Sequence, residues 1–568
     1  MPALLVVVLT MFSLQGRPRP LPQGLAADVL FDGRVAAAAA AQLAEAAPDR
    51  RPGRPGDRIA AARVAAAFRS GGLSLELQRF SHAGHRLVNV IGRRAGTSRR
   101  QIVVVADRDA HTVPDAPGSA SDTAALIELA QVAEGRPTSK TLVLVSLDGG
   151  TLGEVGASEL LSELPGPDLV DGVIAISDLG SNKRRGSYLQ GWSTSTRRAG
   201  ISLQRTAAES IRRELESSPS GAGLFGQLAR QSFPVGIGPQ AVLLDGGYDA
   251  IRIAGSGELP PSGNGPVSAI DEDRLGALGR STLRTLTALD RGPRPEHGPN
   301  SYLTIVNQVV PGWLLTLLGF AFLLPALVAA VDAFARARRQ HVDVLPWLRW
   351  VATWVAPFLA ALAMAELLAL VGATPAPPPA PVPPDLLPLD APALGVLGGV
   401  AAAMALGLVV ARTLAARPDP RLTTPEPPGA AVALALVAEA GALLLWLANP
   451  YAGLLTVPAA HLWLVVLLAG VQPRRRVRAL LLALGALPAV LVATYYWFAL
   501  SMDPLHATWY LLMLVTGHTV GLLTALVGCV MLGSLCGAAE LVYRSPTEPP
   551  APPAAGPTPL GPGFALKR

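Results

Sequence analysis

Cysteine is nearly missing from this chain: its 568 residues hold two, Cys529 and Cys536, both inside the last apolar run. No disulfide can staple the polar part of the chain and no Cys-type zinc cluster can organise it, so that part rests on its core. The two thiols stand seven residues apart on one helix face, where packing is the simpler role. Lysine is scarce as well, at Lys140, Lys183 and Lys567 alone, and charged residues make up only 15%. The net charge of +6 comes from arginines, many in short loops between apolar runs, with no basic stripe interleaved with aromatics. That distribution argues against a nucleic-acid partner. A Gly-x-Ser-x-Gly nucleophile turn and a Gly-Lys-Ser/Thr phosphate loop are also missing, which removes two large enzyme classes.

What the chain has in quantity is apolar sequence. A membrane helix needs about 20 apolar residues, and such runs occupy 312–333, 347–372, 392–412, 429–448, 452–471, 477–500 and 508–537. Arginines follow every second run: Arg336, Arg338 and Arg339, then Arg412, Arg417 and Arg421, then Arg474 to Arg476 and Arg478, then Arg544. The alternate loops carry no cations, and Ala373 to Leu389 is Pro-rich. The positive-inside rule then puts the C-terminus in the cytoplasm and the polar domain outside it. Trp313, Trp347, Trp350, Tyr495, Trp497, Trp509 and Tyr510 lie near run ends, where amphipathic rings favour the interface. A shorter run, Pro2 to Leu14, reads as an uncleaved anchor, because Gln15-Gly16-Arg17-Pro18 is a poor cleavage site. The expected organisation is an anchor or signal-like segment at 1–24, an extracytoplasmic domain at 25–300, a multi-pass bundle at 301–543 and a Pro-rich cytoplasmic tail at 544–568.

Between Gly33 and Arg291 helical and strand patterns alternate. Leu73–Phe80 and Arg86–Ile91 alternate like strands, and Gln101–Ala106, Thr141–Leu147 and Gly172–Ser177 are continuous apolar runs. Runs of that kind fit strands covered on both faces. Helical stretches at Asp122–Glu134 and Leu152–Leu164 separate them, which implies a parallel sheet with right-handed crossovers. The expected fold is a doubly wound, mixed α/β sheet domain joined to an all-α transmembrane bundle. In such sheets function collects at the carboxyl ends of strands. Those ends deliver Asp107-Arg108-Asp109-Ala110-His111, Asp148-Gly149-Gly150 and Asp178-Leu179-Gly180. They suggest a cation site, although loop and helix-capping carboxylates are the plainer alternative.

The ordered landmarks Val88-Asn89-Val90-Ile91, Gln101 to Ala106, Ser121 to Ala130, Val143 to Ala157 and Val173 to Asp178 resemble the di-zinc aminopeptidases of the aminopeptidase Y and glutamate carboxypeptidase type. The resemblance implies a zinc-exopeptidase-like fold and a hydrolase site of His and carboxylate ligands with a carboxylate base. Carried over residue by residue, it gives Asp109 and Asp178 as metal ligands and Asp148 as a supporting residue beside them. Asp107 stands in place of a ligand His. Gly118-Ser119 aligns with the bridging carboxylate, Gly150-Thr151 with the Glu-Glu pair, and Pro260 to Gly265 offers no final His. Asp107, His111, Asp115, Asp122 and Glu154 are the available replacements. Two carboxylates without imidazoles or a bridge hold zinc poorly, so the expected cofactor is none or weakly bound zinc, and no catalytic residue is assigned. At the level of layout the chain also resembles the glycosylphosphatidylinositol transamidase attachment subunit and the endoplasmic reticulum metallopeptidases. The first of these implies an assembly or substrate-presenting role.

Inside the bundle Glu366, Glu439, His461 and His518 fall in apolar runs and are expected to face its interior, with Glu439 and His461 as a pair. Three roles remain open. They are a non-catalytic, peptidase-like protein that binds a peptide or protein partner beside membrane lipid, an active membrane metallopeptidase with altered ligands, and a transporter-like or scaffold bundle.

Overall fold

Unbroken runs of β-branched residues build the centre of a mixed sheet. A computed structural model describes residues 13–23, 30–182, 186–261, 263–415, 428–468 and 474–544. The first apolar run up to residue 12, Lys183, Arg417, Arg421 and the Pro-rich tail from Ser545 lie outside the described residues. In chain order the strands are β1 (Gln15–Gly16), β2 (Ser74–His82), β3 (His85–Arg94), β4 (Ser98–Asp107), β5 (Lys140–Leu147), β6 (Val170–Ser177), β7 (Tyr188–Gln190), β8 (Ala250–Ala254), β9 (Tyr302–Ile305) and β10 (Gln308–Pro311). Seven of them form one sheet in the order β2-β3-β5-β4-β6-β8-β7. The four middle strands β5, β4, β6 and β8 run parallel, and antiparallel strands close both edges. Val103, Val104 and Val105 on β4 are fully buried although they point alternately to opposite faces, so helices cover the sheet on both sides. Each such side chain contributes about 1.5–3 kcal/mol by leaving water.

The covering helices are α1 (Gly33–Ala46), α2 (Pro55–Ser70), α3 (Ser121–Ala133), α4 (Val155–Leu160), α5 (Ile201–Leu215), α6 (Leu224–Ser232), α7 (Pro239–Asp245) and α8 (Glu272–Arg291). Their starts are chemically marked. Asp32 accepts from the Arg34 N–H at 2.9 Å, and Asp271 accepts from the Arg274 N–H at 3.0 Å. Leu152–Leu164, expected as one helix, is a short turn at Gly150–Leu152 followed by α4. Gly149, Gly153 and Glu154 all take left-handed φ there, which interrupts a helix.

Seven helices among the described residues are long and apolar enough to cross a membrane: α9 (Gly312–Arg339), α10 (Leu345–Leu370), α11 (Ala391–Ala415), α12 (Pro428–Ala448), α13 (Pro450–Leu468), α14 (Arg475–Ala499) and, after the short α15 (Pro504–Thr516), α16 (Leu522–Arg544). The expected last span at 508–537 is corrected by this break. The chain leaves the helix at Gly517, His518 takes φ +57°, and α16 starts afresh at Leu522. The 13 residues of α15 reach about 20 Å, short of a bilayer core.

The α/β domain and the bundle meet through specific contacts. Arg230 on α6 donates from Nε to the Tyr495 hydroxyl of α14 at 2.8 Å and forms a buried ion pair with Glu258. Its guanidinium also lies over the rings of Tyr495 and Tyr496. The Asn449 side-chain amide, ahead of α13, donates to the Gln231 carbonyl at 2.8 Å and the Ser232 carbonyl at 3.1 Å. The Pro-rich loop after α10 is a packed wedge: Val382 and Leu387 are buried with Trp509 and Tyr510 of α15 and with Val235, Ile237 and Leu259 of the α/β domain.

Candidate functional site

The carboxyl ends of β4, β5 and β6 place Asp107, Asp109, Asp148 and Asp178 at one edge of the sheet, as their positions in the sequence imply. Asp109, Asp148 and Asp178 are then committed to neighbours. Asp109 is buried and accepts from Gly150 N at 2.9 Å, Thr151 N at 2.8 Å and Thr151 Oγ1 at 2.6 Å. Asp178, with φ +55°, accepts from Ser256 Oγ at 3.0 Å. Asp122 at the start of α3 accepts from the backbone N–H groups of Asp178 at 2.7 Å and Leu179 at 2.9 Å. Asp115 accepts from His111 N, Ser119 N and Ser119 Oγ.

Asp148 turns toward β3 and the buried guanidinium of Arg108. It lies 3.1 Å from Arg108 Nη2 and accepts from Val88 N at 2.9 Å. Arg108 also holds Asp57 at 2.8 Å, so one cation sits between two buried carboxylates. Burial is the larger influence on Asp148, and Asp57 and Asp109 add to it against the pull of Arg108. Its pKa is pushed up to about 7.

The remaining carboxylates crowd one another. Burial first, then Asp109, pushes Asp107 up to about 8, with Arg252 pulling the other way. Burial and Asp115 push Asp178 up to about 6, and burial with Asp107 and Asp109 raises Glu154 well above its ordinary value. Asp107 Oδ1 and Glu154 Oε2 have no hydrogen-bond partner. The structure therefore brings Asp107, Asp109 and Glu154 into one acidic group and Asp178, Asp122 and Asp115 into another. Sequence reasoning missed Arg252, the cation that both groups feel. Its signal is a lone charge in Ala250-Ile251-Arg252-Ile253-Ala254, a strand buried along its whole length.

The folded state holds protons on Asp107, Asp148 and Asp178 that the unfolded chain releases near pH 4. Stability from this edge is greatest below about pH 4 and falls as pH rises through about 6 to 8. Asp107→Asn is expected to flatten that decline and to add about 1–2 kcal/mol at pH 8. Thermal midpoints of the full chain across pH 5–9 read it out, and an unchanged slope in the variant contradicts the assignment.

Whether these residues suit a zinc pair can be tested on the glycines that stand at the aligned ligand positions. A Cβ on Gly118 would lie 2.3 Å from Asp115 Oδ1, and one on Gly150 would lie 2.8 Å from Asp107 Oδ1. The space that a bridging carboxylate and a base would need is filled by this chain's own aspartates. Among the described residues no group of three or more His, Cys, Asp or Glu is arranged to hold a metal ion. His111 stands half-buried after the strand end and contributes its backbone N–H to Asp115. The donor set does not fit a di-zinc centre.

The turn after β5 is also covered. Gly153, at φ +91°, lies so close to the Pro-rich loop that a Cβ there would come within 2.8 Å of Pro378 and Pro379. That loop is pinned by the Tyr510 hydroxyl on the Val382 carbonyl at 2.9 Å and by His506 Nε2 at 3.0 Å from the Leu387 carbonyl.

In the bundle Glu439 is buried in α12, whereas His461 is exposed on α13 with Nδ1 3.0 Å from its own Val457 carbonyl. The expected Glu439–His461 pair does not form: Glu439 is buried, whereas His461 is exposed and bonds within its own helix. Glu366 is half-buried with Oε1 unpartnered, and His518 is exposed in the turn between α15 and α16.

No protein-family model matches this chain, and no curated protein does. Solved structures similar to it, over its N-terminal half, include a zinc aminopeptidase from Bacillus subtilis at 13% identity, covering 49% of this chain and 100% of that one with a TM-score of 0.38. A glutaminyl cyclase from an Acidobacteriales bacterium is similar at 16% identity, 49% and 99% coverage and a TM-score of 0.37. One from Bacteroides thetaiotaomicron, bound to N-acetylhistamine, is similar at 16% identity, 47% and 98% coverage and a TM-score of 0.37. The fold of this chain is a mixed α/β sheet domain followed by a helical region with seven long apolar helices.

Proposed function

We propose that this chain is a membrane protein whose peptidase-like domain stands outside the cytoplasm and binds a peptide or protein partner without cleaving it. The observation that carries this reading is the filling of the two glycine positions, Gly118 by Asp115 and Gly150 by Asp107. A hydrolase of the resembled type needs a bridging ligand and a base at those places. The wedge of Pro378 and Pro379 against Gly153 supports a binding or assembly role, since a segment of the bundle already seats on the turn after β5. The placement outside the cytoplasm rests on charge. Arg336, Arg338, Arg339 and Arg474 to Arg476 lie at helix ends away from the α/β domain, where the positive-inside rule puts the cytoplasm.

An active enzyme with weakly held zinc is the second reading, and the unpartnered Asp107 Oδ1 and Glu154 Oε2 favour it. Aminoacyl reporter substrates offered to the full chain with added zinc separate the two. The binding reading expects no chelator-sensitive turnover. Turnover that disappears in Asp107→Asn and Glu154→Gln establishes the enzyme instead.

A further inference from the structure

A second pocket lies beside the small sheet β1-β10-β9 that leads into α9. A pocket of about 200 Å³ opens there, with Arg17, Arg198 and Arg205 on its wall and, among the described residues, no carboxylate. Arg198 is 5% exposed and stacks between the rings of Trp192 at 4.0 Å and Tyr302 at 4.1 Å. Its Nη1 donates to the Tyr302 carbonyl at 2.6 Å and to Gln227 Oε1 at 3.1 Å, but its Nε has no partner. Arg17 Nε is buried without a partner as well. Arg205 Nη1 donates to the Pro18 carbonyl at 2.6 Å, which holds its charge beside Arg17. Burial lowers the pKa of Arg198 and of Arg17, and the neighbouring arginines add to the shift.

Three crowded guanidiniums with two idle, buried N–H donors are costly unless an anion completes them. Planar guanidinium donors match phosphate oxygens in charge and geometry. The pocket also sits beside the start of α9. Tyr302 is paired with Pro311 in the β9–β10 ladder, and Pro311 caps α9; Gly312 N donates to the Ser301 carbonyl at 2.7 Å. The pocket wall thus stands level with the first residue of a membrane-length helix, and the half-exposed ring of Trp313 marks the interface there. A volume of about 200 Å³ holds roughly six or seven waters, enough for a phosphate with a small ester substituent.

We propose that this pocket binds a phosphate ester between Arg17, Arg198 and Arg205, the chemistry shared by an anionic phospholipid headgroup and a soluble phosphate ester. The full chain in detergent, offered short-chain phosphatidylglycerol, glycerol 3-phosphate or inorganic phosphate, tests it by native mass spectrometry and thermal shift. Binding is expected to weaken at least tenfold in Arg17→Gln and Arg205→Gln, whose side chains are only half-buried, with hydrogen-exchange protection of β9 and β10 unchanged. Phosphatidylglycerol held at least tenfold better than glycerol 3-phosphate identifies the headgroup as ligand, and equal affinities identify a soluble ester. Wild-type protein that retains none of the three probes overturns the proposal whether or not the variants fold. Equal retention by wild type and both variants also overturns it.

Discussion

Arg108→Leu is expected to destabilise the α/β domain by about 3–5 kcal/mol at pH 8. Arg108 has no exposed surface. It donates to Asp57 at 2.8 and 3.3 Å, to the Val88 carbonyl at 3.0 Å and to Ser146 Oγ at 3.2 Å, and it pairs with Asp148 at 3.1 Å. Leucine fills part of the volume but leaves two buried carboxylates facing each other. Protonation of Asp148, already raised to about 7, relieves the repulsion, so the loss shrinks as pH falls toward 5. Hydrogen-exchange protection of β4 and β5 in the full chain reports the domain separately from the bundle. The triple variant Arg108→Leu, Asp57→Asn, Asp148→Asn recovers most of the loss if charge is the cause. Equal losses in the single and triple variants would point to packing alone.

The second large effect is expected at the junction of domain and bundle. Arg230→Ala removes the cation that pairs with Glu258, donates to Tyr495 and lies over the rings of Tyr495 and Tyr496. Glu258, 8% exposed at its side chain, is left charged and alone, at a cost of about 3–5 kcal/mol. The loss should localise. Protection falls in α6, and protease gains access to the Pro-rich loop between α10 and α11, while the centre of the sheet stays protected. Tyr495→Phe removes one hydrogen bond to a charged group and is expected to cost about 1.5–3 kcal/mol. Adding Glu258→Gln to Arg230→Ala restores part of the contact, because a neutral amide is cheaper to bury. A loss spread evenly over α6 and β4 would contradict the localised account.

Much of the architecture was legible because hydrophobic periodicity reports burial directly. Gln101–Ala106, Thr141–Leu147 and Gly172–Ser177 are strands within a few residues of their expected limits, at the centre of the sheet. Strand β8 escaped notice because Arg252 breaks its apolar run, and the partners that make burial of that charge possible, Gln190 on β7 and the Glu258 carbonyl, are not visible in the run itself. The break between α15 and α16 was hidden for a related reason. Hydropathy is blind to the left-handed φ of His518, and Gly517 and Gly521 are tolerated in apolar runs.

The candidate site was legible in position and illegible in orientation. A strand-end aspartate can be read from sequence, but the three donors on Asp109 come from the turn at Gly150 and Thr151 on the next strand. Asp148 looked like a supporting residue of the same edge, and the fold turns it toward Arg108. The glycines at 118 and 150 could be seen as missing ligands. That Asp115 and Asp107 fill their places required the structure.

With Asp115 and Asp107 filling the places at Gly118 and Gly150, this strand-end edge is not built to hold a di-zinc centre. The zinc content of the purified full chain, measured after equilibration with micromolar zinc and removal of the excess, tests it most directly. Well under one zinc per chain is expected, unchanged by Asp109→Ala and Asp178→Ala. One or two zinc ions per chain, lost in those two variants, would contradict it.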